Sequence, residues 1–259
     1  MRALLRALSL ELYGLPLTLP ELPRVRSLRG LGLSDSVQYA DLLAAKFDYR
    51  NSFLDRQPRF DITEIAEGDC GRYDFLLASE VFEHVPPPVE TAFRNAWRLL
   101  RPGGVLAFTV PYSLEATTAE RFPDLHEFGL AQVGGRTVLV NRTRGGEVQV
   151  FENLVFHVSF GEPALEMREL SESHLKTLLA QAGFETVSVF ADDYPPYGIL
   201  HAESCSLPMV ARKGTFALSR EAARDVLEQW KELKQKFEAD MRRLGRSYWF
   251  RIGRKMGWL

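Results

Sequence analysis

Polar side chains that could bind a ligand or transfer a proton come directly after a strongly apolar run. The run YDFLLAS ends at Ser79, and Glu80, Glu83 and His84 come soon after it. Ser79 and Glu80 would lie just past a buried strand, where doubly wound sheets bind ligands, although a helix-capping pair is an equally good interpretation. Carboxylates and imidazole share metal-ligand chemistry, but no second cluster with ligand spacing lies nearby, so the sequence predicts no metal site.

Two histidines are the best-placed candidates for a general base. His126 falls in the segment after a second apolar run, and His157 follows a predicted hairpin. A neutral imidazole near pH 7 can take the proton of an acceptor hydroxyl, so both are predicted catalytic residues. The chain contains no Gly-x-Ser-x-Gly elbow, Walker loop or Cys-x-x-Cys pair, so hydrolase, nucleotide triphosphatase and thiol-redox functions have no local support.

Composition and charge narrow the class of protein further. The chain has 259 residues, of which 46% are hydrophobic and 25% charged, so it can bury a core. The net charge of -2 excludes a uniformly basic nucleic-acid coat, and we predict no nucleic-acid partner. Two cysteines, Cys70 and Cys205, exclude a disulfide scaffold. No apolar run approaches a membrane span and no secretory signal is evident, so a cytoplasmic protein is expected.

The clearest predicted elements form one βαβ unit. Residues 73–79 and 105–110 are compact apolar runs, typical of strands buried on both faces. Apolar residues recur at helical spacing over 88–100, between the two runs. A strand, a helix of this length and a second strand predict a right-handed parallel crossover.

Weaker patterns precede this unit. A short helix is expected over 2–14 and a strand within 25–33. A further helix should follow, with Asp35 as its N-cap and Gln38 as the capping partner. Residues 49–54 are expected to form the next strand and to end near an acid.

The pattern changes after Pro111. Residues 112–135 are expected to be loop-like, and an antiparallel hairpin should follow over 136–142 and 147–153. The remaining predicted elements are a helix over 171–182 capped by Ser171 and closed by Gly183, and strands over 184–191 and 206–212. The fold class predicted is α/β, a Rossmann-like doubly wound and mostly parallel sheet with an antiparallel hairpin insertion and a long C-terminal helix.

The C-terminal section differs from the rest in charge. Between Ser219 and Leu259 there are 11 basic and 6 acidic residues, whereas the remainder has 21 basic and 28 acidic residues. A helix is predicted here with a heptad-like apolar seam, formed by Val226, Trp230, Leu233, Phe237, Met241 and Leu244. The seam either packs on the core or forms a homodimer interface.

The end of this section is basic and aromatic. From Arg242 onward there are six basic residues and no acid, interleaved with aromatic side chains that include Trp249 and Trp258. Such a tail can make peripheral contact with an anionic membrane surface, dock a partner, or fold back on the core.

The segment from 73 to 111, YDFLLASEVFEHVPPPVETAFRNAWRLLRPGGVLAFTVP, resembles the central stretch of class I S-adenosylmethionine-dependent methyltransferases. An aromatic-Asp pair opens the strand, a Glu-His-Val step follows it, and Leu-x-Pro-Gly-Gly precedes the next strand. FDIT at 60–63 and the helix ending in Ala-Gly-Phe within 171–189 are similar to the family's adenine step and last helix. The resemblance divides the chain into an N-terminal helix and connector, 1–25, a methyltransferase-like domain, 26–213, with an acceptor-side insertion, 112–170, and a C-terminal helix and tail, 214–259.

The resemblance implies S-adenosylmethionine as cofactor and assigns residues to its parts. Gly30, Gly32 and Ser34 would form the loop at the cofactor's amino-acid end, although a lone Gly-x-Gly is also a common packing turn. Asp55 would bind the ribose, and Asp61 with Ile62 the adenine; an ordinary surface acid and a strand-end cap are the competing interpretations. The resemblance also places Ser79 and Glu80 at the cofactor pocket.

The glycine loop departs from the family pattern, which leaves alternatives open. RGLGLSD is either the first strand with its loop, with Asp55 ending the second strand, or it is the second strand itself. The function implied is methyl transfer to a small-molecule or glycan-like acceptor. A non-catalytic methyltransferase-like binding module and a nicotinamide-dependent Rossmann oxidoreductase are the alternatives, the latter lacking the complete Gly-x-Gly-x-x-Gly loop.

Overall fold

The computed structural model describes residues 1–159, 162–201 and 206–246. The helices are α1 (Arg2–Tyr13), α2 (Val37–Lys46), α3 (Glu90–Leu99), α4 (Glu172–Ala182) and α5 (Arg220–Arg246). The strands are β1 (Arg29–Leu33), β2 (Asp48–Ser52), β3 (Tyr73–Ser79), β4 (Leu100–Thr109), β5 (Tyr112–Ser113), β6 (Ala119–Glu120), β7 (Glu127–Val133), β8 (Arg136–Arg142), β9 (Val148–Phe151), β10 (Phe156–Ser159), β11 (Glu162–Leu165), β12 (Arg168–Ser171), β13 (Thr186–Val189) and β14 (Met209–Arg212).

A six-stranded sheet in the order β13-β14-β4-β3-β1-β2 forms the centre of the fold. Strands β1 to β4 are parallel to one another, and β14 is antiparallel to both β4 and β13. The predicted parallel unit of β3, α3 and β4 is therefore confirmed. RGLGL is β1 and lies between β2 and β3, so the first of the two interpretations of this segment is correct.

Both faces of the sheet are covered, as the apolar runs predict. Alternate residues of β3 point to opposite faces: Leu76 joins a core with α3 and α4, whereas Phe75 and Leu77 join a core with α1 and α2. Helix α4 begins at the predicted cap, where the Ser171 hydroxyl accepts the His174 N–H, and ends at Gly183 with φ of 107°. The doubly wound α/β class is confirmed.

The insertion contains more strands than the sequence predicts. The hairpin of β8 and β9 is confirmed, but residues 112–135 are not simply a loop, because β5 and β6 lie there and β7 pairs with β8. Most side chains of β7 are exposed, so it has no buried face for an alternating pattern to reveal. A further hairpin, β10 and β11, follows.

Helix α5 leaves the core after its first turns. Ala222 is buried and Val226 packs against the core, but Trp230, Leu233 and Phe237 are at least half exposed. Packing of the whole seam on the core was therefore the wrong alternative, and the homodimer interface stays a prediction. The tail from residue 247 lies outside the described residues. In the described part of the chain, no helix is long and apolar enough to cross a membrane.

We expect the slowest amide exchange in β3 and β4. Both strands are buried and hydrogen-bonded on each side, so their amides open only when the whole domain unfolds. The exposed part of α5 should exchange far faster and serves as an internal reference. Native-state exchange read by mass spectrometry tests this, and equal protection in β3 and α5 would contradict the architecture.

Candidate active site

A cavity of about 880 Å³ opens at the carboxyl ends of β1, β2 and β3. This edge is where open parallel sheets bind their ligands. Its walls include six of the eight residues predicted to bind cofactor, namely Ser34, Asp55, Asp61, Ile62, Ser79 and Glu80. The opposite wall comes from the segment after β3 and from the β10–β11 hairpin, through His84, Pro163 and Ala164. Predicted residues distant in sequence thus surround one space.

The loop after β1 turns in a conformation that favours glycine, although a serine occupies it. Ser34 has φ of 61°, and its N–H donates to the Ser52 carbonyl at 2.7 Å. Glu80, after β3, has φ of 55°. Among the described residues these two are the only non-glycine residues with positive φ, and both line the cavity. Strained backbone often occurs at ligand sites, so these two residues favour this edge as the candidate site.

The presence of glycine at positions 30 and 32 is explained by close packing of aromatic side chains and not by contact of the backbone with the cavity. Gly30 and Gly32 lie within β1 and are not among the cavity-lining residues. A Cβ on Gly30 would overlap the Phe75 ring, and one on Gly32 would overlap the Tyr49 hydroxyl. The space that the two glycines leave is therefore filled by aromatic side chains, as the packing-turn interpretation predicts.

Asp35 is a cavity residue that the sequence assigned to a different task. Helix α2 is flanked by Ser36, so Asp35 is not its N-cap. The Asp35 carboxylate, only 3% exposed, instead accepts the Tyr49 hydroxyl through Oδ2, and its Oδ1 has no hydrogen-bond partner among the described residues. Burial raises the pKa of Asp35 to about 6. The sequence did contain a signal for a place at the cavity, because Asp35 directly follows the Gly-x-Gly-x-Ser run that was predicted to lie beside the cofactor.

The adenine-side candidates are held by α3. Asp61 Oδ1 accepts the Thr63 N–H at 2.8 Å and the Thr63 hydroxyl at 2.6 Å, so Asp61 also caps its own turn. The buried amide of Asn95 on α3 donates to the Ile62 carbonyl at 2.9 Å and to the Thr63 carbonyl at 3.0 Å. Asp55 lies three residues past the end of β2 and is exposed at the cavity rim.

Ser79 and Glu80 are tied to β4. The Ser79 and Thr109 hydroxyls are 3.1 Å apart, and the Glu80 N–H donates to the Thr109 carbonyl at 3.0 Å. The Glu80 carboxylate accepts a hydrogen bond from the Ser206 hydroxyl. These contacts hold a second carboxylate at the cavity, beside the end of β3.

The histidines separate into two groups. His126 is exposed beside β7, where its backbone N–H donates to Asn141 Oδ1, and it is not a cavity-lining residue. His157, on β10, lies next to His84, with their ring centroids 5.7 Å apart. His84 lines the cavity, so of the two predicted bases only His157 is adjacent to it.

Glu83 lies between these histidines and is fully buried. Its Oε1 is 3.4 Å from His84 Nε2 and 3.9 Å from His157 Nδ1. Burial raises the pKa of Glu83 to about 8 and lowers the pKa of His84, so it favours the neutral form of each. The sequence could not reveal this cluster, because His157 reaches Glu83 only through the folding of the insertion.

Comparison with known proteins identifies a family that this chain matches. A protein family described as a methyltransferase domain matches residues 32–189, which is more than half of the chain. The match begins in β1 and ends in β13, so it includes every cavity-lining residue described above. No curated protein sequence matches the chain.

Several solved methyltransferase structures are similar in fold. The Burkholderia thailandensis 1,6-didemethyltoxoflavin-N1-methyltransferase has 19% identity and a TM-score of 0.42, with 73% of this chain and 72% of that chain covered. CalS10, an amino pentose methyltransferase from Micromonospora echinaspora, has 15% identity and a TM-score of 0.41, with 72% and 83% covered. The CurJ carbon methyltransferase has 14% identity and a TM-score of 0.48. The match covers 83% of this chain and 54% of that chain, so this chain spans about half of its length.

The family match covers β2, β3, β4 and β13 of the sheet, the loop after β1 and the walls of the cavity. The chain belongs to the methyltransferase-domain family and is a class I S-adenosylmethionine-dependent methyltransferase.

Proposed function

We propose that the enzyme transfers the methyl group of S-adenosylmethionine to a small-molecule or glycan-type acceptor. One observation carries the proposal: a single cavity joins the cofactor-side residues at the ends of β1 to β3 with a wall built by the insertion. Its volume of about 880 Å³ suits a cofactor and a compact acceptor, since small-ligand sites occupy roughly 300–1,000 Å³. The insertion would then form the acceptor side.

The cavity residues fit the chemical groups of the cofactor. S-adenosylmethionine has an ammonium group, a sulfonium, ribose hydroxyls and an adenine amine, all of which carboxylates attract. Its own carboxylate would instead face backbone N–H groups at the start of α2. Asp35 offers a buried carboxylate oxygen that lacks a partner, and Glu80 offers a second acid near the end of β3. We assign Asp35 and Glu80 to the amino-acid and sulfonium end, Asp55 to the ribose, and Asp61 with Ile62 to the adenine.

The chain's own part in the reaction is orientation and proton handling. The bound cofactor supplies an electrophilic methyl group and leaves as S-adenosylhomocysteine. The cavity walls would align the acceptor atom with that methyl group. His157 stays the predicted base because it lies beside His84 at the insertion wall, whereas His126 is at a distance from the cavity lining.

S-adenosylhomocysteine is expected to raise the melting temperature, because a ligand that binds only the folded state stabilises it by mass action. Asp61→Ala should reduce this shift. Glu64→Ala is the matched control, since Glu64 is exposed, lies three residues away and does not line the cavity. Equal shifts for both variants would remove Asp61 from the binding site, and no shift with wild-type protein at millimolar ligand would favour the non-catalytic alternative. A shift with NAD instead would favour the oxidoreductase.

The acceptor class is tested with isotope-labelled S-adenosylmethionine. Small sugars and aromatic alcohols or amines are offered beside a peptide mixture, and transfer is read by mass spectrometry. Label on the low-mass acceptors supports the proposal. Label found on peptides alone would overturn it.

A further inference from the structure

Three atoms with free electron pairs converge behind the insertion wall of the cavity. They are a carboxylate oxygen of Glu83, Nε2 of His84 and a ring nitrogen of His157, and all lie within 4.8 Å of one another. Glu83 is 0% exposed, and neither of its carboxylate oxygens has a hydrogen-bond partner among the described residues. His84 Nε2 is also buried without one. A buried carboxylate facing two imidazoles requires either a proton or a positive centre between them.

The opposite ring nitrogens have their own acceptors. His84 Nδ1 is 2.9 Å from the Leu165 carbonyl oxygen, which can only accept, so Nδ1 carries the proton and Nε2 presents its lone pair. His157 Nε2 is 3.4 Å from a carboxylate oxygen of Glu166, and this directs the lone pair of Nδ1 toward Glu83. Metal-binding histidines typically donate their other N–H to a carbonyl or carboxylate in this way.

The neighbouring arginines are already paired. Arg121 lies 3.1 Å from Glu166, and Arg168 lies 2.7 Å from Glu120. The separation of 3.4 Å between Glu83 Oε1 and His84 Nε2 matches two ligands of one tetrahedral ion, because ligand distances of about 2.0–2.1 Å place such atoms about 3.4 Å apart. His157 Nδ1, at 3.9 Å from Glu83 Oε1, needs only a small side-chain movement to complete the set.

We propose that Glu83, His84 and His157 bind a divalent transition-metal ion of the zinc class. With Nδ1 on the ion and Nε2 against Glu166, His157 would act as a ligand in place of the general-base role considered above. Two imidazoles and one carboxylate form a ligand set suited to zinc and similar ions rather than to calcium or magnesium. Glu83 and His84 lie on the turn after β3, whereas His157 lies on β10. The ion therefore joins the hairpin that forms the acceptor-side wall to the sheet that holds the cofactor side. The part about the acceptor side rests on the proposed function, whereas the metal site itself does not.

The test uses the full chain, stripped with a chelator and titrated with Zn²⁺. We expect one ion per chain, with Glu83→Gln and His157→Gln each weakening binding at least 100-fold. His126→Gln is the matched control, because it removes an exposed histidine outside the cluster and should leave the stoichiometry unchanged. Co²⁺ in place of Zn²⁺ should produce visible absorption bands of a tetrahedral centre in the wild type and not in the two variants.

Hydrogen exchange distinguishes an ion that holds the β10–β11 hairpin against the sheet from an ion that is bound without structural effect. Added Zn²⁺ should slow exchange in β10 and β11 at least tenfold in the wild type and leave it unchanged in Glu83→Gln. Wild-type protein that binds no Zn²⁺, or variants that bind it as well as the wild type, would overturn the proposal and leave a proton shared between Glu83 and His84. The thermal shift with S-adenosylhomocysteine is measured on the stripped protein, so failure of cofactor binding is seen separately from failure of the metal site.

Discussion

Replacement of Asp35 by asparagine is expected to raise the melting temperature of the free protein and to weaken its stabilisation by S-adenosylhomocysteine. Burial raises the pKa of Asp35 from 3.8 to about 6, so near pH 7 the folded state holds a poorly solvated charge at a cost on the order of 3 kcal/mol. Asparagine has the same size and can still accept the Tyr49 hydroxyl, but it carries no charge to attract the cofactor's ammonium group. Cofactor affinity should fall at least tenfold.

The pH dependence of this effect has a definite sign. The unfolded carboxyl releases its proton at lower pH than the folded one, so the cost is absent below about pH 4 and is complete once the pH passes about 6. The melting temperatures of Asp35→Asn and wild type should therefore converge near pH 4 and separate above pH 6. Asp41→Asn, which changes an exposed acid on α2, is the control. An Asp35→Asn variant that melts earlier at pH 7, or keeps the full ligand shift, would exclude the assigned role.

Gly32→Ala is expected to destabilise the fold by about 3 kcal/mol and to reduce cofactor binding with it. The added Cβ would overlap the Tyr49 hydroxyl and lie 2.5 Å from Asp35 Oδ2. Tyr49 stacks on Phe75 with ring centroids 6.0 Å apart, so it cannot move aside without disturbing the core beneath β1. Chemical denaturation measures the loss of stability.

A second glycine in a strand provides the control for Gly32→Ala. Gly129 in β7 has no heavy atom within 4 Å of an added Cβ, so Gly129→Ala should be neutral or slightly stabilising. Tyr49→Leu removes the hydroxyl and shortens the side chain. The double variant Gly32→Ala with Tyr49→Leu should therefore lose less stability than the sum of the two single variants. Additive losses would place the clash elsewhere.

Sequence patterns predict well those elements whose burial pattern or end signals are contained in their own residues. β3 is buried along nearly its whole length and α4 has a serine cap and a closing glycine, so local sequence contains the signal for both. The sequence does not predict β7, because its mostly exposed side chains do not alternate between apolar and polar. Backbone pairing with β8 is what forms this strand. Its partner supplies the information that its own residues lack.

The residues of the candidate site likewise include some that local sequence predicts and some that it does not. Glu80 directly follows an apolar segment, so its position at the carboxyl edge could be predicted, whereas Asp61 was predicted from the resemblance of FDIT to the family's adenine step. Asp35 was assigned to helix capping because an acid before a helix has the same local pattern whether it caps the helix or faces a cavity. The approach of His157 to Glu83 depends on how the insertion folds, which no local spacing specifies.

The position of β14 has a consequence for synthesis of the chain on the ribosome. This strand pairs with β4, so Met209 lies opposite Phe108, and the two partners are about a hundred residues apart in sequence. Until residue 212 has emerged, β4 has an unpaired edge, although β1, β2 and β3 are already available to pair. Exposed edges of apolar strands invite association with other chains. Nascent chains that stall within the insertion should therefore be the species that depend most on chaperones.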